Sequence, residues 1–292
     1  MSLIQLLCAV VVPLLWGCQF VAIKVGVHEF PPLFFLALRF LAISFILVPF
    51  VKRPASRQFG QVAAISIFLG GLNFGLFYVG LGMGSGSLSA IAYQLATPFT
   101  ILLAWPLLAE KPSLMTLGGV VVAFAGVAWL AVGPDLTANV FPLVLVVGSA
   151  LSFAMSNVLT KRYGPFDALM LMGWSSLFTV PQVALMSLLF EHGQWASLGA
   201  ADLSGWLALA YTIFVGVILG FGLWFWLIAR CSMGRIAPFG LLLPVFAVMS
   251  SVLFLGEGMT AKLLMGGVLA IAGVAMTQFR SGMAGVPGNR HR

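Results

Sequence analysis

Charge is the scarcest property of this sequence: Asp, Glu, Lys and Arg together make up 7% of its 292 residues. A water-soluble domain carries about a quarter charged residues, so that class is excluded. Acids are rarer still. All seven, Glu29, Glu110, Asp135, Asp167, Glu191, Asp202 and Glu257, fall in loops or at the ends of apolar runs. His28, His192 and His291 also lie outside those runs. No HExxH, Gly-x-Ser-x-Gly or Gly-Lys sequence occurs, so the zinc-protease, serine-hydrolase and P-loop chemistries lack their residues. The chain is read as no enzyme, with no cofactor and no metal. Cys8, Cys18 and Cys231 show no CxxC spacing and are read as small apolar packing residues, not as a disulfide framework.

What fills the sequence is hydrophobic residues, 61% of the total. A bilayer core takes about 20 helical residues to cross, and apolar stretches of that length recur from end to end. They lie at 3–23, 32–51, 61–81, 87–109, 114–132, 140–160, 168–190, 205–229, 236–256 and 261–279. The predicted fold class is therefore all-α integral membrane, with ten transmembrane helices. No Lys or Arg precedes the first apolar run, and the run outlasts a signal-peptide core, which predicts a retained first span. Residues 281–292, rich in Gly and ending Asn-Arg-His-Arg, are expected to form a disordered basic cytoplasmic tail.

Lys and Arg are retained on the cytoplasmic side of a membrane. With the N-terminus inside, the inner loops carry Lys52, Arg53, Arg57, Lys111, Lys161, Arg162, Arg230, Arg235, Arg280, Arg290 and Arg292. The outer loops carry only Lys24 and Lys262, and Arg39, inside a span, completes the 14. This asymmetry predicts both termini in the cytoplasm. It also accounts for the formal charge of +7 without a nucleic-acid partner.

The chain repeats itself. Phe74-Gly75-Leu76-Phe77-Tyr78 recurs as Phe221-Gly222-Leu223-Trp224-Phe225, and Glu110, Gly119 and Gly126 recur as Glu257, Gly266 and Gly273. Pro98 is matched by Pro244, and Trp16 and Lys24 by Phe153 and Lys161. Each copy holds five spans, giving units at 1–135 and 136–280. Because five is odd, the second copy crosses the membrane in the opposite sense, so the expectation is two inverted five-helix repeats.

Further residues carry the resemblance to a known family. Leu15-Trp16-Gly17-Cys18-Gln19-Phe20-Val21-Ala22-Ile23-Lys24 is followed by Pro31-Pro32 and Leu38-Arg39-Phe40. Then come Ala109-Glu110-Lys111 and Leu255-Gly256-Glu257, each preceding a glycine-rich span. The set resembles EamA-type members of the drug/metabolite transporter superfamily over about residues 5–280. The resemblance implies a ten-helix inverted-repeat carrier in a bacterial-type inner membrane that exports amino acids, aromatic ones included, or related metabolites. A nonenzymatic membrane scaffold or sensor, and an exporter of another metabolite or drug, stay open as alternatives.

Several residues are candidates for the solute pathway. Trp16, Gln19 and Phe20 share one helical face, as do Phe153 and Asn157 in the repeat. Asn73, Phe77, Tyr78, Tyr93, Gln94 and Trp224 are expected to complete an amphipathic cavity, since amides are costly against lipid. Pro98 and Pro244 interrupt corresponding spans and are expected to kink them beside the pathway. Arg39 lies roughly 10 Å deep by helical rise and is either a clamp for a substrate carboxylate or a structural arginine. Lys24 with Glu257, and Lys161 with Glu110, are placed at opposite mouths and are candidate gate charges. With no carboxylate at mid-membrane, any proton coupling is expected not to use one, and gradient-driven export is the simpler scheme. The abundant glycines are expected to pack helices within the chain, which is read as a monomer in the bilayer with a small-molecule substrate.

Overall fold

The computed structural model describes residues 1–132, 136–231 and 233–278. Ten helices within it are long and apolar enough to cross a membrane. They are α1 Leu3–Glu29, α2 Pro32–Phe50, α3 Ser56–Met83, α4 Gly86–Leu108, α5 Leu114–Ala131, α6 Val140–Tyr163, α7 Ala168–Phe190, α8 Leu203–Ile228, α9 Pro238–Leu255 and α10 Ala261–Gln278. The tail at 281–292 lies outside the described residues. Helix starts follow local chemistry: Ser85, Ser113 and Asp167 accept hydrogen bonds from the first turns of α4, α5 and α7. Pro31 and Pro32 end α1 and open α2, where a missing N–H costs nothing.

One boundary differs from expectation in a way that matters. Helix α1 runs six residues past Ile23, because no helix-breaker intervenes before Pro31, so Lys24 belongs to the helix and not to a loop. Four spans are also irregular. Helix α3 passes through a π-helical stretch at Ile67–Phe74, and α8 does so at Tyr211–Leu219. Helix α4 breaks at Gln94 and Leu95, just before Pro98, and α9 opens on a 3-10 stretch at Ala237–Leu241, just before Pro244.

Packing follows the internal repeat. Helix α1 lies along α8 and α9, and its counterpart α6 lies along α3 and α4. Exchanging the two halves maps one group onto the other, and maps the α2–α7 and α5–α10 pairs onto themselves. The α5–α10 seam shows the two-fold relation at atomic level. A Cβ on Gly119 would lie 2.7 Å from the Gly273 carbonyl oxygen, and one on Gly126 would lie 2.8 Å from that of Gly266. Repeat-related glycines thus bring the two backbones together twice. GxxxG pairs are likewise used inside the chain: Gly71 and Gly75 face α7, Gly80 and Gly84 face α6, and Gly216 and Gly220 face α1.

The two-fold relation is not exact, and a clear break lies between the two groups. Helix α1 packs on α3 and reaches α4, whereas among the described residues the related pairs α6–α8 and α6–α9 make no comparable contact. The surplus contacts lie toward the ends that carry Glu29, Glu191 and Glu257, here termed the first mouth. The opposite ends, carrying Lys52, Glu110 and Lys161, form the second mouth.

Candidate functional site

An aromatic wall runs through the middle of the bundle. Phe20 of α1 meets Phe77 of α3 edge-on at 5.3 Å, Phe77 meets Tyr93 of α4 at 5.0 Å, and Tyr93 meets Phe153 of α6 at 5.9 Å. One turn before Phe20, Trp16 packs on Phe221 and Trp224 of α8 at 5.1 and 5.8 Å. The expected aromatic positions therefore fall into two linked groups, joined by the shared α1 face of Trp16 and Phe20. Phe221, not singled out from sequence, is part of the wall.

The amides divide by what holds them. Asn73 is fully buried: it donates to the Leu69 carbonyl at 3.0 Å and accepts from Tyr93 Oη at 3.1 Å and Ser149 Oγ at 2.9 Å. Its hydrogen-bonding capacity is committed to tying α3, α4 and α6 together. Gln19, Gln94 and Asn157 are half-buried, and their side chains make no hydrogen bond among the described residues. Such amides in an apolar bundle are free to bind a polar solute. Trp16 Nε1 donates to the Gly216 carbonyl at 2.9 Å, and Tyr211 Oη donates to that of Leu15 at 3.0 Å, so the π-helical stretch of α8 is bound to α1 at its start and in its middle. Single π turns often mark functional positions. Apolar sequence gives little sign of them, since their i→i+5 pattern depends on what the neighbouring helix presents.

Arg39 is 3% exposed and does not snorkel. Its Nη1 donates to Tyr78 Oη at 2.9 Å, and its guanidinium lies 5.0 Å from the Phe74 ring centroid, 5.7 Å from Phe40 and 5.8 Å from Tyr78. Nε has no partner, and among the described residues no carboxylate pairs with the group. A structural arginine at this depth could be satisfied by helix-end carbonyls or by reaching outward to solvent. Aromatic faces take that place, contributing up to about 2 kcal/mol where desolvated.

Carboxylates organise the first mouth. Glu191 accepts from the Leu33 and Phe34 amides at 2.7 and 3.0 Å, covering the start of α2, and Glu29 accepts from the Asp202 amide at 3.1 Å, beside the start of α8. Glu257 accepts from Ser85 Oγ at 2.7 Å, Gly86 N at 2.6 Å and Ser87 N at 2.9 Å at the start of α4. Burial alone pushes the Glu257 carboxyl up, but the donors of Ser87, Ser85 and Gly86 outweigh it and hold the group below the ordinary glutamate value. Lys24 makes no ion pair with Glu257; it donates to the carbonyls of Leu81 at 3.0 Å, Gly82 at 3.4 Å and Gly84. A vestibule of about 570 Å³, lined by Lys24, His28, Glu29, Gly82, Ser204 and Leu255 among others, lies at this end. At the second mouth Lys161 and Glu110 are 2.6 Å apart and exposed to solvent.

A model of the EamA-like transporter family matches residues 3–132 and again 140–279. The chain is 34% identical over 289 residues to a "Probable amino-acid metabolite efflux pump" of Salmonella typhimurium, covering 93% of each. A protein of the same description from Escherichia coli K12 is 31% identical, with 93% of each covered. A "Probable terminal-alkyne amino-acid exporter" of Streptantibioticus cattleyicolor is 28% identical, over 94% of this chain and 95% of that one. A crystal structure at 19% identity superposes with a TM-score of 0.61, covering 97% of this chain and 99% of its own, which supports the fold.

Proposed function

The chain belongs to the EamA-like transporter family, and from that premise we propose that it exports amino acids, neutral and aromatic ones foremost, by exposing a central site alternately at its two mouths. The broken two-fold relation carries this reading. Two inverted copies of one bundle are equivalent by sequence, so a packed first mouth and a less packed second mouth are two states of one design, and exchanging them moves the site across the membrane. The descriptions of the relatives as efflux pumps and an amino-acid exporter supply direction and substrate class.

Within the site, Gln19, Gln94 and Asn157 offer uncommitted amides for a zwitterion, and Trp16, Phe20, Phe77, Tyr93, Phe153 and Trp224 supply apolar walls. Asn73 and Tyr78 hold the wall in place. Arg39 is structural in this reading, because its guanidinium is enclosed by Phe40, Phe74 and Tyr78. The breaks before Pro98 and Pro244 divide α4 and α9 beside the site. Both termini face the cytoplasm of a bacterial-type inner membrane, so the packed first mouth is the external one. No carboxylate relays protons through the middle. Glu257, held below its ordinary value, stays ionised at neutral pH.

Purified protein in liposomes, given a panel of radiolabelled amino acids with and without an imposed pH gradient, tests the proposal. Saturable flux of neutral or aromatic amino acids that does not require the gradient is expected. Flux that depends strictly on the gradient would overturn the coupling, and an absence of protein-dependent flux would overturn the substrate class.

A further inference from the structure

The turn between α3 and α4 is gripped at both ends by charges from the opposing group of helices. Lys24, from α1, binds the carbonyls of Leu81, Gly82 and Gly84 that end α3, and Glu257, just past α9, binds the Ser85 hydroxyl and the Gly86 and Ser87 amides that begin α4. Each charge has the sign that the helix end it touches favours, positive at a C-terminus and negative at an N-terminus. The fit is close, since a Cβ on Gly86 would fall 2.5 Å from Ser251 Oγ of α9.

The repeat-related charges have the same covalent setting and a different partner. Helix α4 ends at Ala109 with φ 58° and α9 ends at Gly256 with φ 67°. In both, the next residue is the glutamate, whose amide reaches back six residues, Glu110 N to Ala104 O at 3.3 Å and Glu257 N to Ser251 O at 3.4 Å. The left-handed residue before each glutamate also bonds back to the same carbonyl, Ala109 to Ala104 and Gly256 to Ser251, so both carboxylates leave their helices in the same way. Yet Glu110 pairs with Lys161, and their side chains are 48% and 63% exposed. One device is thus seen in two arrangements, on the turn at the packed mouth and on itself at the other.

We propose that Lys24 and Glu257 are a latch that holds the first mouth shut by gripping the two ends of the α3–α4 turn, and that they release it by pairing with each other. Lys161 and Glu110 are the same latch in its released form, and they close the second mouth when the first one opens. The ion pair therefore marks an open mouth, not a closed one. This inverts the usual picture of a salt-bridge gate. The physical reason is that an exposed ion pair is screened by solvent and contributes little, whereas charge-assisted bonds to helix ends in a half-buried turn are stronger.

The latch rests on the alternating-access reading, and the test separates the two. In a chain with Cys8, Cys18 and Cys231 replaced by serine, Ser89→Cys places a thiol in α4 at a position 3% exposed. Its rate of reaction with a membrane-impermeant maleimide added outside intact cells reports opening of the first mouth. Glu257→Gln is expected to raise that rate about tenfold, equivalent to ~1.4 kcal/mol, and Lys24→Met to raise it in the same sense should the glutamine variant fail to reach the membrane. Glu110→Gln is expected to lower it, and the Glu110→Gln, Glu257→Gln double variant to return it toward the parent. Carboxylates that merely support the fold would shift both single variants alike; that result, or no shift, overturns the latch. A rate that changes when a mixture of neutral amino acids is added, but not in these variants, would sink the latch and leave alternating access standing. A rate unmoved by solute and variants alike would sink both.

Discussion

Adding one methyl group at Gly119 should destabilise the protein, while adding it one residue earlier should not. Gly118 and Gly119 are neighbours in α5, but a Cβ on Gly118 meets nothing within 4 Å, and one on Gly119 lies 2.7 Å from the Gly273 carbonyl oxygen and 3.0 Å from Met276 Cβ. The closest obstacle is backbone, so relief requires moving α10 away by a good fraction of an ångström along a seam that both repeats share. Overpacking of this kind costs about 1–3 kcal/mol. At Gly118 the methyl instead removes unfolded-state freedom and stabilises by roughly 0.5–1 kcal/mol. Two adjacent alanine variants should therefore differ by about 1.5–4 kcal/mol. Repeat symmetry adds a second constraint. A Cβ on Gly126 would lie 2.5 Å from Ala270 N, and one on its counterpart Gly273 would lie 2.3 Å from Ala123 N. Gly126→Ala and Gly273→Ala should be about equally harmful. Equilibrium unfolding in mixed micelles with rising SDS measures all four. If Gly118→Ala and Gly119→Ala proved equally stable, or if the costs at Gly126 and Gly273 differed severalfold, the packed two-fold seam would be refuted.

Asn73→Leu should cost about 1–3 kcal/mol in the same assay, because Tyr93 and Ser149 lose a shared buried acceptor; wild-type stability would contradict the network. Arg39→Lys should lower stability, since an ammonium cannot spread over three ring faces, while leaving the apparent KM for amino-acid flux unchanged. A tenfold rise in KM with normal stability would instead make Arg39 a carboxylate clamp. Glu257 is depressed in the closed mouth relative to a solvated carboxyl, so its contribution to closure is complete above the ordinary value and fades only as pH falls through the depressed one. With Lys24 the charged side chain it faces from α1, labelling of Ser89→Cys, divided by that of a freely exposed cysteine at the same pH to remove the change in thiolate fraction, should be flat from pH 8 to about 5 and rise only near pH 4 or below. A rise centred between pH 6 and 7 would show that another group controls the mouth.

Much of the architecture is legible in the sequence because a bilayer imposes simple rules. Length and apolarity define the ten spans, and a shift of 147 residues relates Glu110 to Glu257 and Gly119 to Gly266. Those landmarks carry the inverted relation before any coordinate is seen. The roles of individual polar groups are less legible. Asn73 and Asn157 look alike in sequence, yet only the first is surrounded by hydroxyl donors, which come from α4 and α6. Lys24 and Glu257 read naturally as an ion pair, because opposite charges at one mouth suggest it. Sequence does not weigh the competing attraction of helix ends, and these depend on where the α3–α4 turn is packed. The π-helical stretches of α3 and α8 were equally hidden, since they answer to contacts with α7 and α1.

Counterflow in proteoliposomes addresses the alternating carrier directly. Vesicles loaded with unlabelled neutral amino acid and diluted into a trace of the labelled form should transiently accumulate label above the external concentration. Label that merely equilibrates, at a rate indifferent to solute on the far side, would mean a passive pore and contradict the account.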